Sequence, residues 1–436
     1  MPKLPLFPLT AEVSDQGHLC IGGCDVVDLA KEFGTPLYLF DEFTLRHKCH
    51  EFKTEFSKYY PDALVIYASK AFLNRALALI FKEEGLGLDV VSGGELSIAH
   101  SVNFPVEKVY FHGNNKTPEE LKLALGWGVG QVVVDNFYEL ELLNRLAKEK
   151  GLIQEILLRI TPGIDPHTHQ YTTTGILDSK FGFPLATGQA EEAVKQAMSA
   201  SNLNLLGFHF HLGSPVPEIQ PYELAIELVL HFAKEMREKL GFKLSEFSIG
   251  GGFAVQYTLD SEVPTVADYA QAISNKVNSL TSSLELSRPQ LIIEPGRGIV
   301  GQAGVALYKV GAIKEIPGVR KYVCVDGGIS DNIRPALYGA KYEALIANKA
   351  LEAEEDLVTI AGKLCQSGDV LIRDADLTSA SPGDVVAIPV CGAYSIPMSS
   401  NYNALRRPAI VMVDKGEARF IRRRETYQDL MRLDLP

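Results

Sequence analysis

Lys70 sits in the string Tyr67-Ala-Ser-Lys-Ala-Phe72, directly after an apolar run. A lysine at the C-terminal end of a buried strand can be desolvated, which lowers its pKa and makes its amine a Schiff-base nucleophile. Read alone, it is more simply a solvated lysine at the start of a helix. Three further strings shift that balance. Gly250-Gly251-Gly252 follows a strand-like run, and bare backbone lets N–H groups approach a phosphate. Glu294-Pro-Gly-Arg297 offers a carboxylate, a second bare turn and a guanidinium, and His211-Leu-Gly-Ser214 offers a flat ring and a hydroxyl. An amine for an aldehyde, a phosphate cradle, a ring to stack and a carboxylate to keep a pyridine nitrogen protonated are what pyridoxal phosphate requires.

Those residues need a frame. Eight short apolar runs recur: 63–70, 86–92, 108–115, 131–136, 155–162, 205–213, 247–253 and 290–298. They are rich in Val, Ile and Leu without strict alternation, as strands buried on both faces should be. Helical stretches separate them, among them 118–125, 138–150, 190–199, 222–240 and 266–280. Eight βα units predict a (β/α)8 TIM barrel. A doubly wound sheet is the alternative, but its opening GxGxxG is missing. In a barrel, chemistry sits at the C-terminal ends of the strands. Lys70, Ser92, His112, Asp135, Arg159, His211, Gly250–Gly252 and Glu294–Arg297 all fall there. After about residue 300 the pattern becomes short runs (322–326, 357–363, 384–390, 409–413) broken by Gly, Pro and Asp, which reads as a β-rich domain. The first stretch also reads as β-like, so the second domain is expected to be discontinuous: residues 1–35 with 301–436, around a barrel of 36–300.

The 436 residues are 46% hydrophobic and 22% charged, with a formal net charge of −12, an ordinary globular composition that argues against a nucleic-acid surface. No apolar run is long enough to span a bilayer, and the first residues do not read as a signal peptide, so the cytoplasm is the expected compartment. The six cysteines form no CxxC pair and show no zinc spacing, so no metal is expected. His167 and His169 read as loop residues rather than ligands, and His209 as packing beside His211.

The chain resembles the fold-type III pyridoxal-phosphate decarboxylases (the class-II ornithine/lysine/arginine decarboxylase family), most closely the diaminopimelate decarboxylases. The strings that carry the resemblance run in the family's order along nearly the whole chain: YASKAF (67–72), GLDVVSGGEL (87–96), GNNK (113–116), RITPGIDPHTH (159–169), TGILDSKFG (174–182) and HFHLGS (209–214). They continue through the glycines at 250–252 and EPGR at 294–297 to RPALYGA (334–340), CQSGD (365–369), GAY (392–394) and MSSNYN (398–403). The resemblance implies a barrel with an alanine-racemase-like β domain and the decarboxylation of meso-2,6-diaminopimelate to L-lysine and CO2, the last step of lysine biosynthesis. It implies that Lys70 carries the cofactor as a Schiff base and that His211 stacks on its ring. Ser214, Gly250, Gly251, Gly252, Gly296 and Arg297 would hold the phosphate, which Tyr394 closes. Glu294 would face the pyridine nitrogen, while Asp89 and Arg159 orient the cofactor side of the pocket. Arg297, Arg334, Tyr338, Gln366 and Tyr394 would touch the amino-acid substrate. Cys365 would return a proton to the carbanion from the neighbouring subunit of a homodimer, whose active site is shared across the interface.

Two positions depart from the family's pattern. Gln366 stands where a Glu usually follows the proton-donating Cys, which removes a charge near the substrate's ammonium. Pro215 replaces the polar residue that commonly follows HLGS. Cys391 stands where the family has a non-thiol residue and is assigned no role. Three rivals stay open: a decarboxylase of ornithine, arginine or carboxynorspermidine, an alanine-racemase-type isomerase, and a non-catalytic carrier of the cofactor. Arg334 favours a substrate with a distal carboxylate over the first. Glu294 argues against the second, whose ring nitrogen usually meets an arginine, and the intact second domain argues against the third.

Overall fold

The computed structural model describes residues 3–165 and 174–435. His167 and His169 therefore lie outside the described residues. The chain divides into two compact units. One comprises Met1–Lys48, Val255–Glu262 and Ile299–Pro436, and the other Cys49–Ala254 and Val263–Gly298.

The second of these is the barrel. Its strands are Ala63–Ala68, Gly87–Val90, Val109–Phe111, Gln131–Val134, Gln154–Thr161, Leu203–His209, Glu246–Ser248 and Gln290–Ile293, the eight that the apolar runs predict. Each pairs in parallel with the next, and the last pairs with the first through Leu291 and Ala63. The second, third and fourth strands are buried at every position, which explains why they read as unbroken apolar runs. Ile66, Tyr110, Val133, Leu157 and Ile292 form an apolar cluster drawn from five of the eight strands. The helices between are marked by local chemistry. Thr117 and Glu120 form a capping box with Pro118 in the first turn, Thr265 and Asp268 form another, and Gly151 ends the helix Phe137–Lys150 in the left-handed conformation. Gly207 is required where the sixth strand meets the seventh: a Cβ there would lie 1.7 Å from the Glu246 carbonyl oxygen.

The other unit is β-rich, as expected, but its boundary is corrected. Leu37–Asp41, placed in the barrel by the sequence reading, pairs antiparallel with Gly304–Leu307 and parallel with Ala409–Val413. All five of its residues are buried. A short apolar run followed by a helix has one signature whichever sheet receives it, so the division falls after Lys48 rather than at residue 35. The opening stretch is also less uniformly β than its sequence suggests. Three short strands are followed by the helix Val26–Phe33, capped by the Asp25 side chain and ended at Gly34. The spine of this unit is the 13-residue strand Gly304–Ile316, which pairs with Leu37–Asp41, Arg320–Val325 and Val385–Ile388.

At the N-terminal end of the seventh barrel strand, Glu246 accepts hydrogen bonds from Tyr110 (3.3 Å) and Gln131 (3.0 Å). Burial, reinforced by the nearby Glu155, pushes its carboxyl from 4.5 up to about 7. The folded state thus favours the protonated acid. Stability from this group is intact below the unfolded value and is lost as pH rises through the folded one. Glu246→Gln is therefore expected to raise the melting temperature at about pH 8.5 and to change it little at about pH 4.5. Equal shifts at both pH values would contradict this reading, and thermal denaturation across the pH range decides it.

Candidate active site

The first barrel strand ends in a single 3-10 turn, Ser69–Ala71, that presents Lys70 to solvent. Tyr67 clamps that turn: its hydroxyl donates to the Phe72 carbonyl (2.6 Å) and accepts from the Phe72 amide (3.2 Å). The buried Tyr67 ring stacks on Phe81. The Ala68 amide donates to the Pro295 carbonyl, which ties the lysine turn to the Glu294–Arg297 turn. Gly296 eases this approach, since a Cβ there would crowd Ala71 Cβ at 3.0 Å and Ala68 Cβ at 3.1 Å.

Glu294 is buried and is the hub of the site. Ser248 Oγ donates to Oε1 at 2.7 Å, and His209 Nε2 lies 3.3 Å from Oε2. His112 Nε2 is 3.5 Å from Oε1 and 3.8 Å from Asp89 Oδ1. Burial alone would raise the Glu294 carboxyl, but the two imidazoles and the Ser248 hydroxyl hold it well below the ordinary carboxylate value. Burial lowers His112, His209 and His211, so all three rings are neutral near pH 7. Asp89 goes the other way: burial first, then the Glu294 charge, raises its carboxyl well above normal, against the pull of Lys70. His112, His209 and Glu294 offer ligand atoms within 4.8 Å of one another, but both oxygens of Glu294 are already engaged by Ser248 and His209.

His211 follows the sixth strand, and its Nδ1 accepts the Gly251 amide at 3.3 Å, which leaves the ring proton on Nε2. The glycine run forms a cradle that no side chain could enter. A Cβ on Gly250, Gly251 or Gly252 would lie 2.4, 2.2 or 2.6 Å from a carbonyl oxygen, and Gly250 and Gly252 have φ of +70° and +110°. The Gly250 amide is committed to Ser248 Oγ and the Gly251 amide to His211, so two of the three amides serve the protein itself. Beneath the cradle, Tyr222 donates to the Gly251 carbonyl and its ring stacks on Phe253, while Tyr269 donates to the Val216 carbonyl. Arg297 is buried, and its guanidinium donates twice to Ser214 Oγ, at 3.2 and 3.3 Å. Arg159 lies over the Phe181 ring, with Nε 3.7 Å from Asp135 Oδ2, and Asp135 in turn accepts the Gly182 amide.

The barrel thus gathers Lys70, Asp89, Arg159, His211, Ser214, Gly250–Gly252, Glu294, Gly296 and Arg297 on one end. His112, His209, Ser248 and Asp135, not expected from the sequence as site residues, contact Glu294 and Arg159. Their only signal was position: His112 and Asp135 close strands.

The remaining expected residues lie in the β unit. Arg334 opens the helix Arg334–Tyr338, is buried, hydrogen-bonds the Tyr342 hydroxyl and lies over the Tyr257 ring at 4.7 Å. Its Nε is buried without a hydrogen-bond partner, so the surface salt-bridge role open to such an arginine does not apply. Tyr338 reaches Met398 and is half-buried, as is Tyr394, which takes a positive φ of 59°. Cys365 is exposed on a loop held by Asn403, whose Oδ1 accepts the Cys365 amide, and by Tyr402, whose hydroxyl donates to its carbonyl. Buried Asp369 accepts the Ile329 and Leu364 amides and anchors the same loop. Gln366 turns back to accept the Gly368 amide. Burial pushes the Cys391 thiol up to about 12, which suits a residue without a chemical task.

The barrel cluster fits pyridoxal phosphate. Asp89 Oδ1, His112 Nε2 and His209 Nδ1 are buried without hydrogen-bond partners around an ionised carboxylate, a setting for a cationic ring nitrogen. The bare backbone of the glycine run is compatible with the close approach of an anion.

Comparison with known proteins agrees. Residues 43–301 match the pyridoxal-binding domain of the pyridoxal-dependent decarboxylases. Diaminopimelate decarboxylase of Bacillus subtilis (strain 168) is 48% identical over 427 residues, 98% of this chain and 97% of that protein. The crystal structure of diaminopimelate decarboxylase from M. jannaschii in complex with L-lysine is 38% identical and superposes with a TM-score of 0.92 over 98% of each chain. That from Helicobacter pylori, also with L-lysine, is 31% identical with a TM-score of 0.86, over 94% of this chain and 99% of that one. With a cluster built for the cofactor and likeness along both units, the chain belongs to the diaminopimelate decarboxylase family of pyridoxal-dependent decarboxylases.

Proposed function

We propose that the protein removes CO2 from meso-2,6-diaminopimelate to give L-lysine. The observation that carries this reading is the buried Glu294 carboxyl group, with Ser248 and His209 on its two oxygens. An anion at the ring nitrogen favours full electron withdrawal, which decarboxylation requires. Bound pyridoxal phosphate supplies the sink for the electron pair that the leaving carboxylate abandons. Lys70 provides the amine that holds its aldehyde. Asp89 and Arg159 would orient the cofactor, and the His211 ring would stack on it. Ser214, Arg297, Gly296 and the glycine run would hold its phosphate.

Substrate selection rests on the β unit's residues. Arg334 is held between Tyr342 and Tyr257 and offers a planar fork to the substrate's distal carboxylate. Gln366 offers an uncharged amide where an acid is usual. Its hold on the Gly368 amide means that it also shapes the turn after Cys365. Cys365 supplies the proton that replaces CO2, so one C–C bond breaks, one C–H bond forms, and solvent restores the thiol. The exposure of Cys365 fits delivery into the site of a second copy in a homodimer. The absence of any helix long and apolar enough to cross a membrane, among the described residues, fits a cytoplasmic enzyme.

CO2 release from meso-diaminopimelate, with ornithine, arginine, lysine and carboxynorspermidine in parallel, tests the assignment. Release from diaminopimelate alone, with lysine as product and none from Lys70→Ala, is the expected result. Preference for another substrate would keep the fold and cofactor but overturn the reaction named here. Cys365→Ser is expected to lower turnover by about 100-fold or more while leaving cofactor content unchanged, since a positioned general acid contributes on that order. Turnover within twofold of the parent would remove Cys365 from the proton path.

A further inference from the structure

We propose that His209, which is absent from the expected cofactor contacts, sets the aim and charge of Glu294 and through it the protonation of the cofactor's ring nitrogen. The inference deepens the decarboxylase reading and rests on its cofactor, not on the identity of its substrate.

The argument begins with register. His209 is the last residue of the sixth barrel strand and pairs directly with Ser248, the last residue of the seventh. Both side chains converge on the carboxylate that follows the eighth strand, one on each oxygen. Two neighbouring strands thus fix the plane of Glu294. The third strand adds His112, whose ring packs edge-on against His209 with centroids 4.8 Å apart. His209 is 1% exposed, so water cannot replace its hydrogen bond.

The tautomer follows from the partners. A neutral imidazole carries one proton. His209 Nε2 faces an ionised carboxylate, which can only accept, and Nδ1 is buried without a hydrogen-bond partner. The proton therefore sits on Nε2 and is donated to Glu294. Charged groups also bear on this ring: Arg159 and Lys70 disfavour an imidazolium, while Glu294 favours one, and burial decides for the neutral form. A charge-assisted donor in a water-free site is worth more than the same bond in water. Without it, Glu294 would keep the Ser248 hydroxyl at 2.7 Å and the more distant His112 at 3.5 Å, and burial would push it toward its neutral acid. A neutral acid cannot hold a proton on the pyridine nitrogen. His209 is thus a positioning residue that acts through Glu294 and touches no reacting atom.

The test loads wild type, His209→Leu, His209→Phe and His209→Gln with 15N-labelled pyridoxal phosphate and records the ring-nitrogen resonance, which differs between protonated and bare nitrogen. Wild type is expected at the protonated position and the two apolar variants at the bare position. The glutamine variant, which keeps a donor, should lie near wild type. Turnover in the apolar variants should fall about 100- to 1,000-fold, as for loss of one preorganised donor. A protonated nitrogen in a loaded apolar variant overturns the proposal, even if its turnover is poor. Neutron diffraction from crystals of the wild-type holoenzyme tests it without any variant. A proton on His209 Nε2 directed at Glu294 is expected, and a proton on Nδ1 alone contradicts it. Neither readout involves the substrate, so both stand apart from an error in the substrate assignment.

Discussion

A carboxylate taken out of water must be hydrogen-bonded or neutralised, and the barrel is arranged to satisfy that demand at Glu294. Ser248 and His209 supply donors from two adjacent strands, and His112 closes in from a third. The result is a fixed negative charge where water has been excluded. Asp89, close by, is pushed toward its neutral form by burial and by that charge. Two buried acids are driven to opposite protonation states, which is how a single site provides both an anion and a neutral partner. Most other features of the barrel's C-terminal end serve the placement of this charge or of the groups that a cofactor needs around it.

The supporting frame is rigid for simple reasons. Strand ends are fixed by parallel pairing on both sides, so side chains that follow them have little freedom. Where backbones must pass closely, glycine makes room: no Cβ fits at Gly251 against the Glu294 carbonyl, and one at Gly296 would crowd the Lys70 turn. Aromatic hydroxyls hold the turns from below, Tyr67 at Phe72 and Tyr222 at Gly251. In the β unit the same logic recurs with different chemistry. Arg334 is buried but flanked by Tyr257 and Tyr342, and the Cys365 loop is held by Asn403, Tyr402 and Asp369. The strings that resemble the family outside the barrel thus act as loop anchors.

Much of this was legible in the sequence because barrel chemistry follows strand ends. Each apolar run marks a strand, and the polar residue that stops it is a candidate for the site. Lys70, His211 and Glu294 were found in that way. The strand Leu37–Asp41 was misplaced because five buried residues before a helix look alike in a parallel barrel and in the middle of a mixed sheet. Ser248 and His209 were passed over for a different reason. Their importance lies in facing each other across a strand pair and meeting Glu294, and neither fact is visible without the register. Tyr257 was equally hidden, since it lies between barrel segments yet packs on Arg334 within the β unit. The lost charge at Gln366 is visible in the sequence, but its acceptance of the Gly368 amide depends on loop geometry.

The measurement that tests the central claim most directly is the turnover of Glu294→Gln in enzyme with a full complement of cofactor. If the ionised carboxylate is the electrostatic centre of the site, the neutral isostere should bind the cofactor at Lys70 yet release CO2 at least about 100-fold more slowly, the scale of losing one preorganised electrostatic group. Full occupancy with turnover within twofold of the parent would contradict the account, because the hub would then be shape and not charge.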